Sequence, residues 1–244
     1  VTAVHTLEEK GSMHWHEMSR EAVLATLETS MQGLSAAEAQ RRLAERGPNV
    51  LSEGKRRTSL GMFFEQFKDF MIVVLLGAAI ISGLIGDFKD AIAIMAIVIL
   101  NAVVAFIQEY RAEKAMAALK RLAVPTVKVR RGGQLQEISS RELVPGDIVL
   151  LETGNLVPAD GRLLESATLR SQEAALTGES EPVEKDPRAL SGADLPLGDR
   201  RNMVYMGTVV TYGRGHAVVT ETGMDTELGR IATMMQAVGQ ETTP

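Results

Sequence analysis

The 244-residue sequence contains no cysteine, no internal repeat and no low-complexity tract. The missing thiols exclude disulfides and thiolate metal ligation and fit a reducing compartment. An excess of positive charge is also lacking. Its 26 Lys and Arg stand against 31 Asp and Glu, and the net charge of −5 argues against nucleic acid as a partner. The residues before Met13 are polar and acidic rather than apolar, so no signal peptide is read there. His14 and His16 have no partner cluster around them and read as solvated side chains rather than metal ligands.

Apolar residues make up 45% of the chain, ample for a core, but they are unevenly placed. Phe70–Ile85 is almost wholly apolar, and residues 91–107 are interrupted only by Asn101. With their flanks each run reaches the roughly 20 residues that a bilayer-spanning helix needs. Neither shows the amphipathic alternation of a soluble helix. Asp87-Phe88-Lys89-Asp90 separates them, with Gly86 just before, so the pair reads as a helical hairpin with both ends on one side of a membrane. Lys55, Arg56, Arg57 and Lys68 precede the first run, and Arg111, Lys114, Lys120 and Arg121 follow the second. The positive-inside rule then puts both termini and the remaining mass in the cytoplasm. Asn101 reads as a helix–helix hydrogen-bonding residue rather than an ion ligand.

Before the hairpin the pattern is helical. Val23, Leu24 and Leu27 recur at helix spacing, Gly33 breaks the segment, and Ser35 with Glu38 forms a capping box for a second helix that carries Ala39 and Leu43 and stops at Gly47-Pro48. After the hairpin, residues 108–122 continue as a helical stalk that Pro125 ends. The period then switches to two. Val127, Val129, Leu135 and Ile138 flank Arg131-Gly132-Gly133 as a β-hairpin, and residues 148–151, 161–165, 203–211 and 216–220 read as further short strands. Strands at this spacing predict a β-sandwich or distorted jelly roll. Residues 182–201 read as an exposed loop, and 226–238 as a closing helix with Leu228, Ile231 and Met235 on its apolar side.

Within the β region lies Thr177-Gly178-Glu179-Ser180, a carboxylate between a glycine and two hydroxyls. An accessible Glu on a tight turn can orient a water for attack, and a glycine lets the backbone approach a bulky anion. The stretch from Ala174 to Val183 resembles the actuator-domain signature of P-type cation-transporting ATPases. Three further stretches match in order: Val144-Pro145-Gly146-Asp147-Ile148-Val149, Val157-Pro158-Ala159-Asp160-Gly161-Arg162, and Asn202-Met203-Val204-Tyr205-Met206-Gly207-Thr208. The resemblance runs from about Met13 to the end and is closest to the type II, calcium-pump branch. One departure is Ser171-Gln172-Glu173-Ala174, where many relatives have Val-Asp-Glu-Ser; loss of that aspartate touches the hydrogen bonding beside the turn.

The resemblance implies an α+β membrane protein with a tail at 1–12, an N-terminal helical segment at 13–60 and a transmembrane hairpin at 61–109 (spans about 66–86 and 90–109). A stalk at 110–125, a β-rich distorted jelly-roll actuator domain at 126–238 and a linker at 239–244 complete it. Glu179 would orient the water that hydrolyses an aspartyl phosphate, Thr177 and Gly178 would shape the approach, and Ser180 would hold the turn. Residues 51–60, 120–126 and 239–244 would link a rotating β body to membrane helices. The phosphorylation motif Asp-Lys-Thr-Gly is absent. ATP and Mg2+ would therefore be bound by phosphorylation and nucleotide-binding domains outside this chain, which is not catalytically complete by itself. The expected setting is a plasma or inner membrane, with lipid, those domains and the transported cation as partners. Calcium is the first expectation for the cation; proton, sodium and manganese stay open. A membrane-anchored, non-catalytic binding or regulatory module is the alternative. A free-standing esterase or phosphatase is disfavoured, since no nucleophile, dinuclear metal cluster or phosphate loop accompanies Glu179.

Overall fold

The computed structural model describes residues 13–52, 70–122 and 125–238, which fall into two compact units. One contains the described residues up to Ser52 together with those from Pro125 onward, and the other contains the helices between them. The tail 1–12, the linker 239–244, most of linker 51–60, the start of the first predicted span, and the flanking charges Lys55, Arg56, Arg57 and Lys68 lie outside the described residues.

Helix α1 (Arg20–Thr26) starts at Ser19, whose Oγ accepts from the Ala22 amide at 3.2 Å. Helix α2 (Ala36–Arg46) starts at Ser35, whose Oγ accepts from the Glu38 amide at 3.2 Å. Only this half of the predicted capping box is used. The Glu38 carboxylate turns instead to Arg41 (2.7 Å) and Arg42 (2.6 Å), because guanidinium groups three and four residues on offer charge-assisted bonds. Gly47, at φ +79°, ends the helix, and Ala39 and Leu43 pack with Leu34 and Val144.

Helices α3 (Phe70–Ile85) and α4 (Phe88–Leu122) pack together as a hairpin. Gly86 makes the turn at φ +94°, and the Asp87 amide returns to the Ser82 carbonyl at 3.0 Å. Ile72, Ala79, Val98 and Ala102 are buried while most other apolar side chains of the pair face outward. The sequence predicts two spanning helices; among the described residues one stretch is long and apolar enough, the 29-residue Phe88–Met116, within which an 18-residue window has mean hydropathy 2.5. The 16 residues of α3 rise about 24 Å, short of the roughly 30 Å hydrocarbon core. Asn101 is exposed, and among the described residues its side chain makes no hydrogen bond to α3.

The β body is one antiparallel sheet of β1 (Thr126–Arg131), β2 (Gln134–Ser139), β3 (Ile148–Glu152), β4 (Asp160–Gln172), β5 (Val183–Glu184), β6 (Met203–Val204) and β7 (Val209–Glu221). Their order is β2-β1-β3-β7-β4-β5, with β6 also on β4. One-turn helix α5 (Ala174–Thr177) precedes β5, and α6 (Glu227–Val238) follows β7. The β1–β2 hairpin turns at Gly132 and Gly133, at φ +56° and +78°, as a two-residue turn requires.

Two predicted features change. The short strands read at 161–165 and 216–220 are parts of β4 and β7, each 13 residues long, and the strand read at 203–211 is broken between β6 and β7. Bulges along the β4–β7 ladder explain this, since each one interrupts the period-two pattern by which strands are read. All seven strands belong to one hydrogen-bonded sheet. Both ends of β4, Leu163 and Leu169, and both ends of β7, Val210 and Val219, share a core with Val129, Val149 and Leu151. The opposite face presents Ile148, Leu164 and Val218, and α1 covers it with Val23 and Leu27, joined by Trp15. On α6, Met235 is exposed rather than on the packed side; Gly229 approaches the Gly223 carbonyl instead, where a Cβ would sit 2.5 Å from the oxygen.

Candidate functional site

Thr177 ends α5 and Gly178 follows in the left-handed conformation at φ +79° and ψ −6°. This reverses the chain so that Glu179 and Ser180 stand exposed at the tip of a turn. The Glu173 carbonyl accepts from the amides of Leu176 (2.9 Å) and Thr177 (3.0 Å) and from Thr177 Oγ1 (3.2 Å). With its proton spent there, Thr177 Oγ1 accepts from the Glu179 amide at 3.2 Å. Ser180 is held through its backbone, because Gln172 Nε2 donates to its carbonyl at 2.7 Å. Gln172, read from the sequence as a departure beside the turn, therefore supplies a tether to it.

An open cleft of about 680 Å³ adjoins the turn, with Glu179, Glu181, Glu184 and Asp199 on its walls against the single guanidinium of Arg201. Four carboxylates to one cation repel a free phosphate. The turn thus offers a carboxylate that can orient water and accept a proton, and no ready pocket for an anion. Among the described residues no group of three or more His, Asp or Glu could hold a metal ion.

The base of the turn is closed by an ion pair between Glu173 and Lys185, both side chains completely buried. Burial pushes the Glu173 carboxyl up and the Lys185 ammonium down, and their mutual attraction opposes both shifts. The sequence reading of 182–201 as an exposed loop misses this. Its first residues pair with β4 (Ser171 with Val183, Arg170 with Glu184), and Lys185 enters the core. A lysine in a segment rich in proline and charge carries no pattern that marks it as buried. Only its approach to Glu173 does.

The N-terminal residues straddle the rest of that loop. His16, predicted to be solvated, is 1% exposed, and its Nε2 is 2.9 Å from the Gly192 carbonyl oxygen. Asn202 Nδ2 donates to the carbonyls of His16 (2.8 Å) and Arg188 (2.9 Å). Asp160 accepts from the amides of Met206 (2.8 Å) and Glu227 (2.7 Å), fastening the start of α6 to the sheet, and burial lifts its carboxyl to about 7.

Residues 121–236 match the family model of the P-type ATPase actuator domain, and residues 15–82 match that of the cation transporter/ATPase N-terminus. A calcium-transporting ATPase of Bacillus subtilis is 48% identical over 233 residues, covering 95% of this chain and 26% of that protein. Calcium-transporting ATPase 1 of Bacillus cereus is 44% identical over 95% of this chain and 27% of its own length. A sodium/potassium exporting P-type ATPase of Schizosaccharomyces pombe is 43% identical over 85% of the chain and 20% of its own length. This chain spans about a quarter of the length of the Bacillus relatives. It belongs to the P-type cation-transporting ATPases and carries their actuator domain.

Proposed function

We propose that the chain is the N-terminal part of an ATP-driven cation pump, with calcium the transported ion, and that Glu179 promotes hydrolysis of the pump's aspartyl-phosphate intermediate. The observation that carries this is the turn itself: an exposed carboxylate at the tip of a left-handed glycine reversal, its amide fixed by Thr177. Hydrolysis of an acyl phosphate needs an in-line water, a proton acceptor and exclusion of competing waters. Glu179 accepts a proton from the water, Gly178 keeps side-chain bulk out of the approach, and Thr177 and Ser180 set the turn. The anionic cleft fits this division of labour, because the phosphate then arrives already neutralised on a partner domain that also binds ATP and Mg2+.

The helical pair anchors the protein in the lipid bilayer of a plasma or inner membrane, α4 crossing it and α3 crossing it as part of the longer span 66–86 read from the sequence, with the β body and both termini cytoplasmic. The exposed apolar side chains of α3 and α4 support that reading. Residues 13–60, 61–109, 110–125 and 126–238 act as cytoplasmic segment, membrane hairpin, stalk and actuator, and turning of the last pulls on the helices through the linkers at 51–60, 120–126 and 239–244. Calcium is favoured by the two Bacillus relatives, each a calcium-transporting ATPase matched over 95% of the chain.

The test is Glu179→Gln in the full-length ATPase that carries this sequence. The variant phosphorylates from ATP normally, and its phosphoenzyme decays about 100-fold more slowly than wild type, the range of a lost general base. Unchanged decay would remove Glu179 from the mechanism, and turnover that ignores calcium would remove the ion assignment.

A further inference from the structure

Burying an ion pair is a poor way to gain stability, since desolvation consumes most of the Coulomb attraction and an apolar pair of similar volume often does as well or better. Glu173 and Lys185 are nevertheless both fully buried beneath a turn whose tip is fully wet. What this pair has that an apolar contact lacks is a mutual restraint between two opposite charges that have no other hydrogen-bond partner among the described residues, so neither can leave the other without stranding it. Here that restraint is passed on. Glu173 stands at the start of α5, and its own carbonyl receives the Thr177 hydroxyl at 3.2 Å; that hydroxyl receives the Glu179 amide at 3.2 Å. On the other side Lys185 is fixed to β4, its amide donating to the Leu169 carbonyl at 2.8 Å and its carbonyl accepting from Ser166 Oγ at 3.0 Å. Its ammonium also lies 5.7 Å from the centre of the Tyr205 ring.

We infer that the buried Glu173–Lys185 pair is the positioning device for Glu179, transmitting the fixed geometry of the sheet through the Glu173 carbonyl and the Thr177 hydroxyl to the backbone that carries the reactive carboxylate. The inference deepens the reading of Glu179 given above and rests on it for its catalytic consequence. Its geometric content is independent of that reading. Neither Glu173 nor Lys185 touches the cleft beside the turn, so both act through Thr177 and Glu179 and not on the reacting atoms.

Three variants test it: Glu173→Gln, Lys185→Met, and the double apolar replacement Glu173→Met with Lys185→Met. In the 244-residue chain, hydrogen exchange of the Glu179 amide and the thermal midpoint are measured. In the full-length ATPase, decay of the phosphoenzyme is measured with phosphorylation from ATP as control. Each single variant speeds exchange at Glu179 and slows phosphoenzyme decay about 10- to 100-fold, as expected for a reacting group displaced by up to an ångström. The double variant regains the wild-type thermal midpoint while exchange stays fast and decay stays slow. That separation is the signature of positioning. If the double variant restores all three quantities, or the single variants lose stability with Glu179 exchange unchanged, the pair is only packing and the inference falls. Should Glu179→Gln decay as fast as wild type, the functional reading fails on its own, and the exchange measurement still decides whether the pair holds the turn.

Discussion

Arg162 Nε donates to the carbonyl oxygen of Trp15 at 3.1 Å, although 147 positions separate the two residues in sequence. The same guanidinium reaches Met18 (3.1 Å) through Nη2 and Pro187 (3.0 Å) through Nη1, so one side chain ties the N-terminal segment, the sheet and the loop after β5. Arg162 is completely buried and its hydrogen bonds among the described residues all go to carbonyl oxygens; burial pulls its guanidinium down to about 10. Arg162→Met keeps the volume but leaves the Met18 and Pro187 carbonyls without that donor and the Trp15 carbonyl with only the Met18 amide at 3.4 Å. The expected loss is about 3 kcal/mol, each unsatisfied buried carbonyl costing of order 1 kcal/mol, read as a shift in the denaturant midpoint. Protease cleavage around Arg188 should quicken in parallel, and an unchanged midpoint would show that water replaces the guanidinium.

A pH dependence follows from Asp160. Its carboxyl lies at about 7 in the folded chain against an ordinary value of 3.8, with burial as the main cause and the Met206 and Glu227 amides opposing it. A raised carboxyl binds its proton more tightly when folded, so its contribution favours the fold at low pH, declines as pH climbs from about 4 to 7, and is level above that. The full span corresponds to about 4 kcal/mol. Subtracting the pH profile of Asp160→Asn from that of wild type isolates this slope. A difference that is flat from pH 4 to 8 would mean that the two amide donors hold the carboxylate ionised throughout.

Thr177 needs its hydroxyl and not its methyl for the contacts around Glu179. Thr177→Ser should therefore leave phosphoenzyme decay within about twofold of wild type, whereas Thr177→Val, nearly isosteric, should slow it about 10-fold through loss of a hydrogen bond worth roughly 1 kcal/mol or more. The measurement is decay of the phosphoenzyme in the full-length ATPase, and equal rates for the two variants would uncouple the hydroxyl from the turn.

Local chemistry made part of this structure readable. Gly132 and Gly133 between alternating Val127, Val129 and Ile138 could only be a tight hairpin, and Ser35 followed by Glu38 marks a helix start whatever the carboxylate does afterwards. Thr177-Gly178-Glu179 likewise reads as a reversal with a hydroxyl beside it. What stayed hidden depends on partners far away in sequence. The bulges of β4 and β7 obscure the extent of the two longest strands. The burial of His16 depends on Gly192, and that of Lys185 on Glu173, neither of which leaves a local trace. Asn49 is another such case: its Nδ2 serves the carbonyls of Ser140 and Pro158 while its Oδ1 takes the Gly223 amide, joining four stretches of chain with one buried amide.

Because the compact β unit draws on both flanks of the helical pair, its assembly has an order imposed by synthesis. Trp15, Val23 and Leu27 emerge from the ribosome long before Leu164 and Val218, the residues they pack against, exist. Between those two moments the apolar helices are made. The early segment must wait while the two apolar helices are made, and its cover is complete only when β7 has been added. A chain interrupted before Val218 would leave Trp15 and its companions only partly covered.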